Sequence, residues 1–318
     1  MDNITHSLTG WALGQTGLKR KSRKGLAALI LGANMPDIDV FLGSAPWPSL
    51  ATHRGWTHSL LGGVLFLPPV LAGLLWLLDR WQLRRGAQFK SGLPMRFGWL
   101  VVLSYLGTLT HPFLDWQTSY AIQLFAPFDR RWYHADTLFI VDVWILISLG
   151  AAIWLSRGRE RHGGAWRRPP KIALAGLAAY LVLNSIDTAT AEAAAQRHRP
   201  FARPDVMVAS PPPVMFWRRN LTWRQDRGIW EGLFDPLRAV DSLARYSGPT
   251  DDGMADPLAR RLLLTDPRLA HFRRWSILPM AQVTQGRCRT TVAFGDARFS
   301  VHPVRSRLGQ EVVLPKAC

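Results

Sequence analysis

The chain has 318 residues, 39 Lys+Arg against 22 Asp+Glu, and a mean hydropathy of +0.00. A length near two ordinary domains, with several runs near the ~20 apolar residues that a bilayer helix requires, excludes a single soluble globule. A 48% hydrophobic content with 15 Trp excludes intrinsic disorder.

Nearly all the long apolar runs precede residue 191. The expected architecture is therefore mainly α: a polytopic membrane bundle of five or six helices over residues 1–190, then a small extramembrane α+β domain over residues 191–318. In chain order, residues 4–18 are short and rich in small side chains, and three topologies stay open for them: an oblique span, a dip that returns, or an interfacial helix. Residues 25–42 are apolar up to Leu31 but carry Asp37 and Asp39 near their end. Residues 60–78, 99–115, 138–155 and 172–186 read as clear spans. The amino terminus lacks a basic segment ahead of an apolar stretch, so no cleavable signal peptide is expected.

Loops rich in Lys and Arg stay cytoplasmic. Lys19, Arg20, Lys21, Arg23 and Lys24 fill the first connection, residues 80–96 hold five basic residues, and residues 157–171 hold six, together 16 of the 19 before residue 191. The intervening loops carry only Arg54, Arg130 and Arg131. The alternation places loops 43–59 and 116–137, and everything after residue 190, on the outer, extracytoplasmic side of the membrane. Because the basic excess of the first half has this topological cause, nucleic acid is not an expected partner.

The polar domain opens with Arg/Pro-rich sequence and Pro211-Pro212-Pro213, which read as an extended connector. Residues 290–294, 299–304 and 311–314 alternate as strands do, and residues 256–264 suit a helix. Cys288 and Cys318 both lie here, and a disulfide between them stays open, since separation in sequence says nothing about geometry. Trp217, Trp223 and Trp230 read as core or interfacial belt.

Ionisable side chains at membrane depth cost roughly 2.5–3.5 kcal/mol on insertion scales and are functional candidates by default. Here they share one side: His6, Asp37 and Asp39, His53 and His58, His111 and Asp115, then His134 and Asp136. His111 and Asp115 are four apart, hence on one helix face, although Pro112 could place a helix break between them. An extended backbone after Pro36 would point Asp37 and Asp39 the same way, and Gly55 gives slack for His53 and His58 to fold onto one centre. Imidazole and carboxylate without thiolate suit zinc or a similar divalent ion. The donor count exceeds one tetrahedral site, so two or three ions are expected, the machinery of phosphate-ester cleavage.

Each residue also has a plainer reading. His6 could be an interfacial histidine, Asp37 and Asp39 turn or cap residues, His53 and His58 caps of the next helix, and His111–Asp115 a hydrogen bond without an ion. Asp136 could be an N-cap before Leu138. Asp142 and Asp187 suit orienting or packing roles, and Arg54 could touch a substrate anion or a lipid headgroup.

Met1-Asp2-Asn3-Ile4-Thr5-His6, Pro36-Asp37-Ile38-Asp39, His53-Arg54-Gly55-Trp56-Thr57-His58-Ser59 and His111-Pro112-Phe113-Leu114-Asp115 together resemble the bacterial YdjM-like family of membrane-bound metal-dependent hydrolases. The resemblance covers roughly the first 150 residues. The order His, Asp, His, then His-x-x-x-Asp is distantly similar to the zinc-dependent phospholipase C and nuclease superfamily. What these resemblances imply is zinc and phosphodiester hydrolysis, not a named substrate.

The expected activity is thus metal-dependent hydrolysis of a phosphate ester or phosphodiester at the outer face, on a membrane lipid or lipid-linked substrate. Metal ligands would be His6, Asp37, Asp39, His53, His58, His111 and Asp115. Asp39 and Asp136 are the candidate catalytic carboxylates, able to accept a proton from water. Two rivals stand beside it: a metal-binding regulatory or docking protein without turnover, and a transporter whose polar residues would line a path through the membrane depth.

Overall fold

The computed structural model describes residues 1–41, 53–197, 204, 206–240, 242–306 and 308–315. The chain divides into two compact units, with residues up to Asn184 in one and residues from Ser185 in the other.

The first unit is helical. α1 (Asn3–Gln15) is capped by Asp2, whose carboxylate accepts from the Ile4 and Thr5 amides. α2 (Gly25–Asn34) tightens into a 3-10 turn, Met35–Phe41, and a second short 3-10 turn, Trp56–His58, precedes α3 (Gly63–Arg84). α4 (Phe97–Trp116), α5 (Val143–Arg161) and α6 (Arg168–Arg197) follow.

Among the described residues, three helices are long and apolar enough to cross a membrane: α3, α4 and α6. They contain most or all of residues 60–78, 99–115 and 172–186. Leu74, Leu77, Val182 and Leu183 are each more than half exposed, at 56–60%, as lipid-facing side chains are. The bounds of the other expected spans differ. Residues 138–142 are not helical, because the Asp142 carboxylate caps α5 by accepting from the Trp144 and Ile145 amides. α5 then ends in Arg157, Arg159, Glu160 and Arg161, and is not among the three apolar helices. Residues 25–42 do not form one span either: α2 has 10 residues, about 15 Å, and α1 has 13, about 20 Å, against a hydrocarbon core of about 30 Å. Pro36 removes an amide donor where α2 would continue. Leu42 lies outside the described residues.

α2 is wedged between α1 and α4 by small residues. A Cβ on Gly10 or Gly107 would stand 2.6 or 2.4 Å from the Leu29 carbonyl oxygen, so only glycine permits the approach. Leu29 joins Leu71, Leu75, Leu100 and Leu103 in one core, while Ala12 packs against Ile145, Leu149 and Ile153 of α5 in another.

The basic connections meet at one end of this unit. Arg23 forks onto Asp79 at 2.7 and 2.8 Å, the Arg96 amide donates to Ser22 Oγ at 2.9 Å, and Lys19 pairs with Glu160. The opposite end is made by the start of α1 and the loops around residues 53–62 and 117–142. There the Asp2 amide donates to the Ile140 carbonyl at 3.2 Å and Gln123 to that of Arg54 at 3.0 Å.

In the second unit, Ala191, Ala194 and Ala195 from the end of α6 pack with Leu221, Trp223 and Phe234 of a four-stranded antiparallel sheet. Its strands are β1 (Val206–Ser210), β2 (Arg219–Gln225), β3 (Gly228–Phe234) and β4 (Arg245–Asp251). Pro211-Pro212-Pro213 lies between β1 and β2, so it turns the chain within the sheet and is no interdomain connector. Trp223 is buried and stacks on Trp230, with ring centres 6.5 Å apart. α7 (Pro257–Thr265) and the short α8 (Ala270–Trp275) lead to a three-stranded antiparallel sheet of β5 (Pro279–Gln285), β6 (Arg289–Asp296) and β7 (Gln310–Pro315). Residues 299–304 are not a strand: the Phe299 and Ser300 amides turn back to the Asp296 carbonyl, and Pro303 opens a 3-10 turn. Cys288 is disulfide-bonded, and Cys318 lies outside the described residues.

Asp296 organises the turn after β6. Its Oδ2 accepts from Ser276 Oγ at 2.7 Å and the Ile277 amide at 2.8 Å, and Arg298 Nε donates to Oδ1 at 2.8 Å. Burial alone would raise its pKa, but the Arg298 charge and these hydrogen bonds outweigh it and hold the carboxyl below the usual carboxylate range. A group lowered on folding contributes stability above its unfolded value, lost as pH falls through the native one.

Two outcomes are expected. Gly107→Ala should cost about 1–3 kcal/mol, seen as a lowered unfolding midpoint in detergent, whereas Gly98→Ala on the same helix, where a Cβ meets nothing within 4 Å, should not. Asp296→Asn leaves the Arg298 charge buried without its partner and should cost about 3–5 kcal/mol at neutral pH, read as faster amide exchange in β5 and β6. The wild-type protection should weaken only on strong acidification.

Candidate metal centre

The polar residues of the centre are delivered by four pieces of chain. His6 stands in the first turns of α1. Asp37 and Asp39 ride on the 3-10 turn Met35–Phe41 rather than on an extended segment. The loop carrying His53 and His58 is folded onto Asp39, whose Oδ2 accepts from the Arg54 amide at 3.2 Å and from Thr57 Oγ1 at 2.6 Å. The start of α3 presses on this loop, since a Cβ at Gly63 would lie 1.7 Å from the Thr57 carbonyl oxygen. α4 runs through Pro112 to Trp116 without breaking, which keeps His111 and Asp115 on one face, 3.4 Å apart from Nε2 to Oδ2.

These residues converge. His58 Nε2 and His111 Nε2 are 3.0 Å apart. Asp37 Oδ1 lies 3.2 Å from the first and 3.3 Å from the second. Asp115 Oδ2 lies 3.4 Å from each. Asp39 approaches His58 from the other side, its Oδ2 3.3 Å from Nδ1, and its Oδ1 is 2.9 Å from His53 Nδ1. His6 stacks on His111, ring centres 3.7 Å apart, with Nε2 3.4 Å from Asp115 Oδ1. Three overlapping groups could hold a metal ion: His6, His111 and Asp115; Asp37, His58 and His111; Asp39, His53 and His58. All are buried except half-buried His53.

The fit to a cation can be tested on this geometry. Spacings of 3.0 to 3.4 Å among His58, His111, Asp37 and Asp115 are close to the ~3.3 Å edge of a tetrahedron whose ligands stand about 2.0–2.1 Å from zinc. Both ring nitrogens of His6 and Oδ2 of Asp115 are buried without a hydrogen-bond partner among the described residues, an arrangement that costs about 1–3 kcal/mol per group unless something else satisfies it. The ring orientations also agree. His111 Nδ1 donates to the Ala33 carbonyl at 2.7 Å, which leaves Nε2 with its lone pair. Thr57 gives its only hydroxyl proton to Asp39, so its oxygen accepts from His58 Nδ1 at 3.0 Å and again Nε2 is the bare nitrogen. The His/Asp clusters could therefore bind metal.

Arg54 was expected at a substrate anion or a headgroup. It is instead buried at 2% exposure, with Nη2 3.1 Å from Asp115 Oδ1, Nη1 donating to Thr118 Oγ1 at 2.9 Å, and its guanidinium over the Tyr120 ring. The Met1 amino group also lies against Asp115 Oδ1. His134 and Asp136 pair with each other at 3.0 Å and belong to none of the three groups. Asp136 is not an N-cap, because the next helix starts at Val143 under Asp142, which also accepts from Tyr180 at 2.9 Å. Thr57 and Thr118 were missed; Thr57 sits inside the His53–Ser59 motif, and that adjacency was the only signal for it.

A model of the YdjM inner membrane protein family matches residues 1–191, which hold every residue of the centre. The chain belongs to that family. It is also similar to an uncharacterized protein, YfhP of Bacillus subtilis strain 168, 28% identical over 171 residues, 50% of this chain and 47% of the relative. The chain spans about half the length of that curated relative. No solved structure matches at a significant level.

Thr57→Val removes the link that orients His58 while leaving every direct donor in place. Zinc affinity, measured by chelator competition, is expected to fall about 10–100-fold, with metal still bound at saturation.

Proposed function

We propose that the protein is a metal-dependent hydrolase of the inner membrane that cleaves a phosphate ester or phosphodiester in a lipid or lipid-linked substrate. The observation that carries this reading is the meeting of His58 Nε2 and His111 Nε2 at 3.0 Å with Asp37 and Asp115 oxygens beside both. The residues that would hold metal are His6, Asp37, His53, His58, His111 and Asp115, with Asp39 a further ligand or the group that orients two of them, and zinc is the first choice for an all-N/O donor set of this kind. Two or three ions suit the three overlapping groups. When bound, such cations supply Lewis acidity toward a phosphoryl or carbonyl oxygen and toward water.

The chain's own residues divide the remaining work. Asp39 holds the imidazoles of His53 and His58 through their Nδ1 atoms, and Thr57 and the Arg54 amide fix Asp39 in turn. Arg54 compensates Asp115 and pins it to Thr118. Asp39, whose Oδ1 lies beside the 17%-exposed His53, would be a carboxylate able to take a proton. Asp136 is retained as a candidate proton acceptor only through its position on the adjoining loop.

We place the centre and the domain after residue 190 on the extracytoplasmic side, on the alternation of basic loops and their meeting at the opposite end of the helical unit. A lipid substrate is favoured because the centre adjoins the ends of apolar helices. The residues gather in one cluster rather than along a path through the membrane, which disfavours transport.

Purified full-length chain, freed of chelator, should contain zinc or a similar ion and release product from a panel of phospholipids and phosphate esters. His58→Ala or Asp115→Ala should abolish metal content and product together. Undiminished turnover by metal-free protein would end the proposal, and a metal-loaded protein inert on the whole panel would return the regulatory reading.

A further inference from the structure

Two cavities at the basic end of the helical unit differ in character. One, of about 570 Å³, is lined by Lys19, Arg20, Arg23, Lys24 and Glu160. Its cations are answered: Arg23 forks onto Asp79, Lys19 and Arg20 pair with Glu160, and Lys24 reaches Gln82. The other, of about 420 Å³, is lined by Arg20, Lys21, Arg96 and Arg167 with no carboxylate among its walls. Lys21, Arg96 and Arg167 have no ion-pair partner among the described residues.

Retention of basic loops on one side of a membrane requires only that the charges lie there. It does not require that three connections, those after α1, α3 and α5, each send cations to one cavity without a counter-ion. These cations are held in place by other means. Lys21 lies over the Trp99 ring at 4.9 Å and Arg167 over Trp166 at 5.0 Å. Gly17, at φ 118°, gives Arg167 its seat, since a Cβ there would stand 3.1 Å from Arg167 Nε. Leu18 and Leu93 supply an apolar wall beside the charges.

We propose that this cavity binds a phosphate-bearing anion, a phosphate mono- or diester group gripped by Lys21, Arg96 and Arg167, with Arg20, which pairs with Glu160, at its edge. Guanidinium forks match phosphate oxygens in geometry and charge, and basic pockets among membrane helices are suited to anionic headgroups. The site is independent of the metal centre, which is built at the other end of the unit.

The test uses the full-length protein in non-ionic detergent, with two ligands: phosphatidylglycerol, compared with phosphatidylcholine by native mass spectrometry, and inorganic phosphate, followed by calorimetry. Binding should fall about tenfold or more in the double variant Arg96→Gln/Arg167→Gln and stay within about twofold in Lys19→Gln/Lys24→Gln, which removes the same charge from the paired cavity. Lys21→Gln serves as the milder variant should the first fail to fold. Preference for phosphatidylglycerol assigns a lipid source, and saturable phosphate binding without lipid preference assigns a soluble one. Absence of binding by either ligand, or equal loss in both double variants, overturns the proposal.

Discussion

Two imidazole nitrogens, each stripped of its proton by a hydrogen bond on the far side of the ring, face each other at 3.0 Å in a buried site. With neither nitrogen carrying a proton, that contact is repulsive, and the carboxylates at 3.2 to 3.4 Å add to the negative potential. The surrounding structure is arranged to hold it. Glycines at positions 10 and 107 let α1 and α4 close on the Leu29 carbonyl, which brings His6 onto His111. Asp39 ties the loop after residue 52 to the turn after α2. A buried polar cluster of this kind is costly unless every member is satisfied, and a cation is one partner that these groups could hold.

How much of this could be read from the chain depends on which physical signal carried it. The sharing of one end by His6, Asp37, His58 and Asp115 followed from basic loops that alternate with polar ones, a long-range signal that tolerates errors of several residues in each helix boundary. The spacing of His111 and Asp115 was also legible, and Pro112 misled only because the loss of one amide donor does not stop a helix supported by its neighbours. What could not be read was local backbone form. Nothing in Pro36-Asp37-Ile38-Asp39 distinguishes an extended segment from the 3-10 turn that sets the two carboxylates on opposite nitrogens of His58. Apolar residues 138–141 look helical until the Asp142 carboxylate is seen to cap the helix two residues later, and residues 299–304 alternate like a strand although the Asp296 carbonyl turns them back. Arg54 was misjudged for a related reason: its partners, Asp115 and Thr118, lie more than sixty positions away.

The shortness of α1 and α2 bears on the placement of chemistry. With about 20 and 15 Å of helix, neither traverses a bilayer core alone. The turn between them is anchored at the basic end through Arg23 to Asp79 and Ser22 to Arg96, so the far ends, with His6 and Asp37, stop short of where a full span would emerge. If the centre acts on lipid, as proposed, this set-back position would let a lipid phosphate reach it with its acyl chains beside the exposed apolar faces of α3 and α4.

The same cluster weighs a cation against protons. Asp37, Asp39 and Asp115 outnumber Arg54 and the amino group beside Asp115, so the site carries excess negative charge while its imidazoles are neutral. Protons on the imidazoles could supply the balance only by occupying Nε2, because Nδ1 of both His58 and His111 already donates elsewhere. Two N–H groups aimed at each other across 3.0 Å would clash, so at most one of the pair takes a proton. Among such charges a divalent ion would suit the two Nε2 lone pairs together with Asp37 and Asp115, the residues that could hold it. A single proton shared between the two rings would leave Oδ2 of Asp115 without a hydrogen-bond partner.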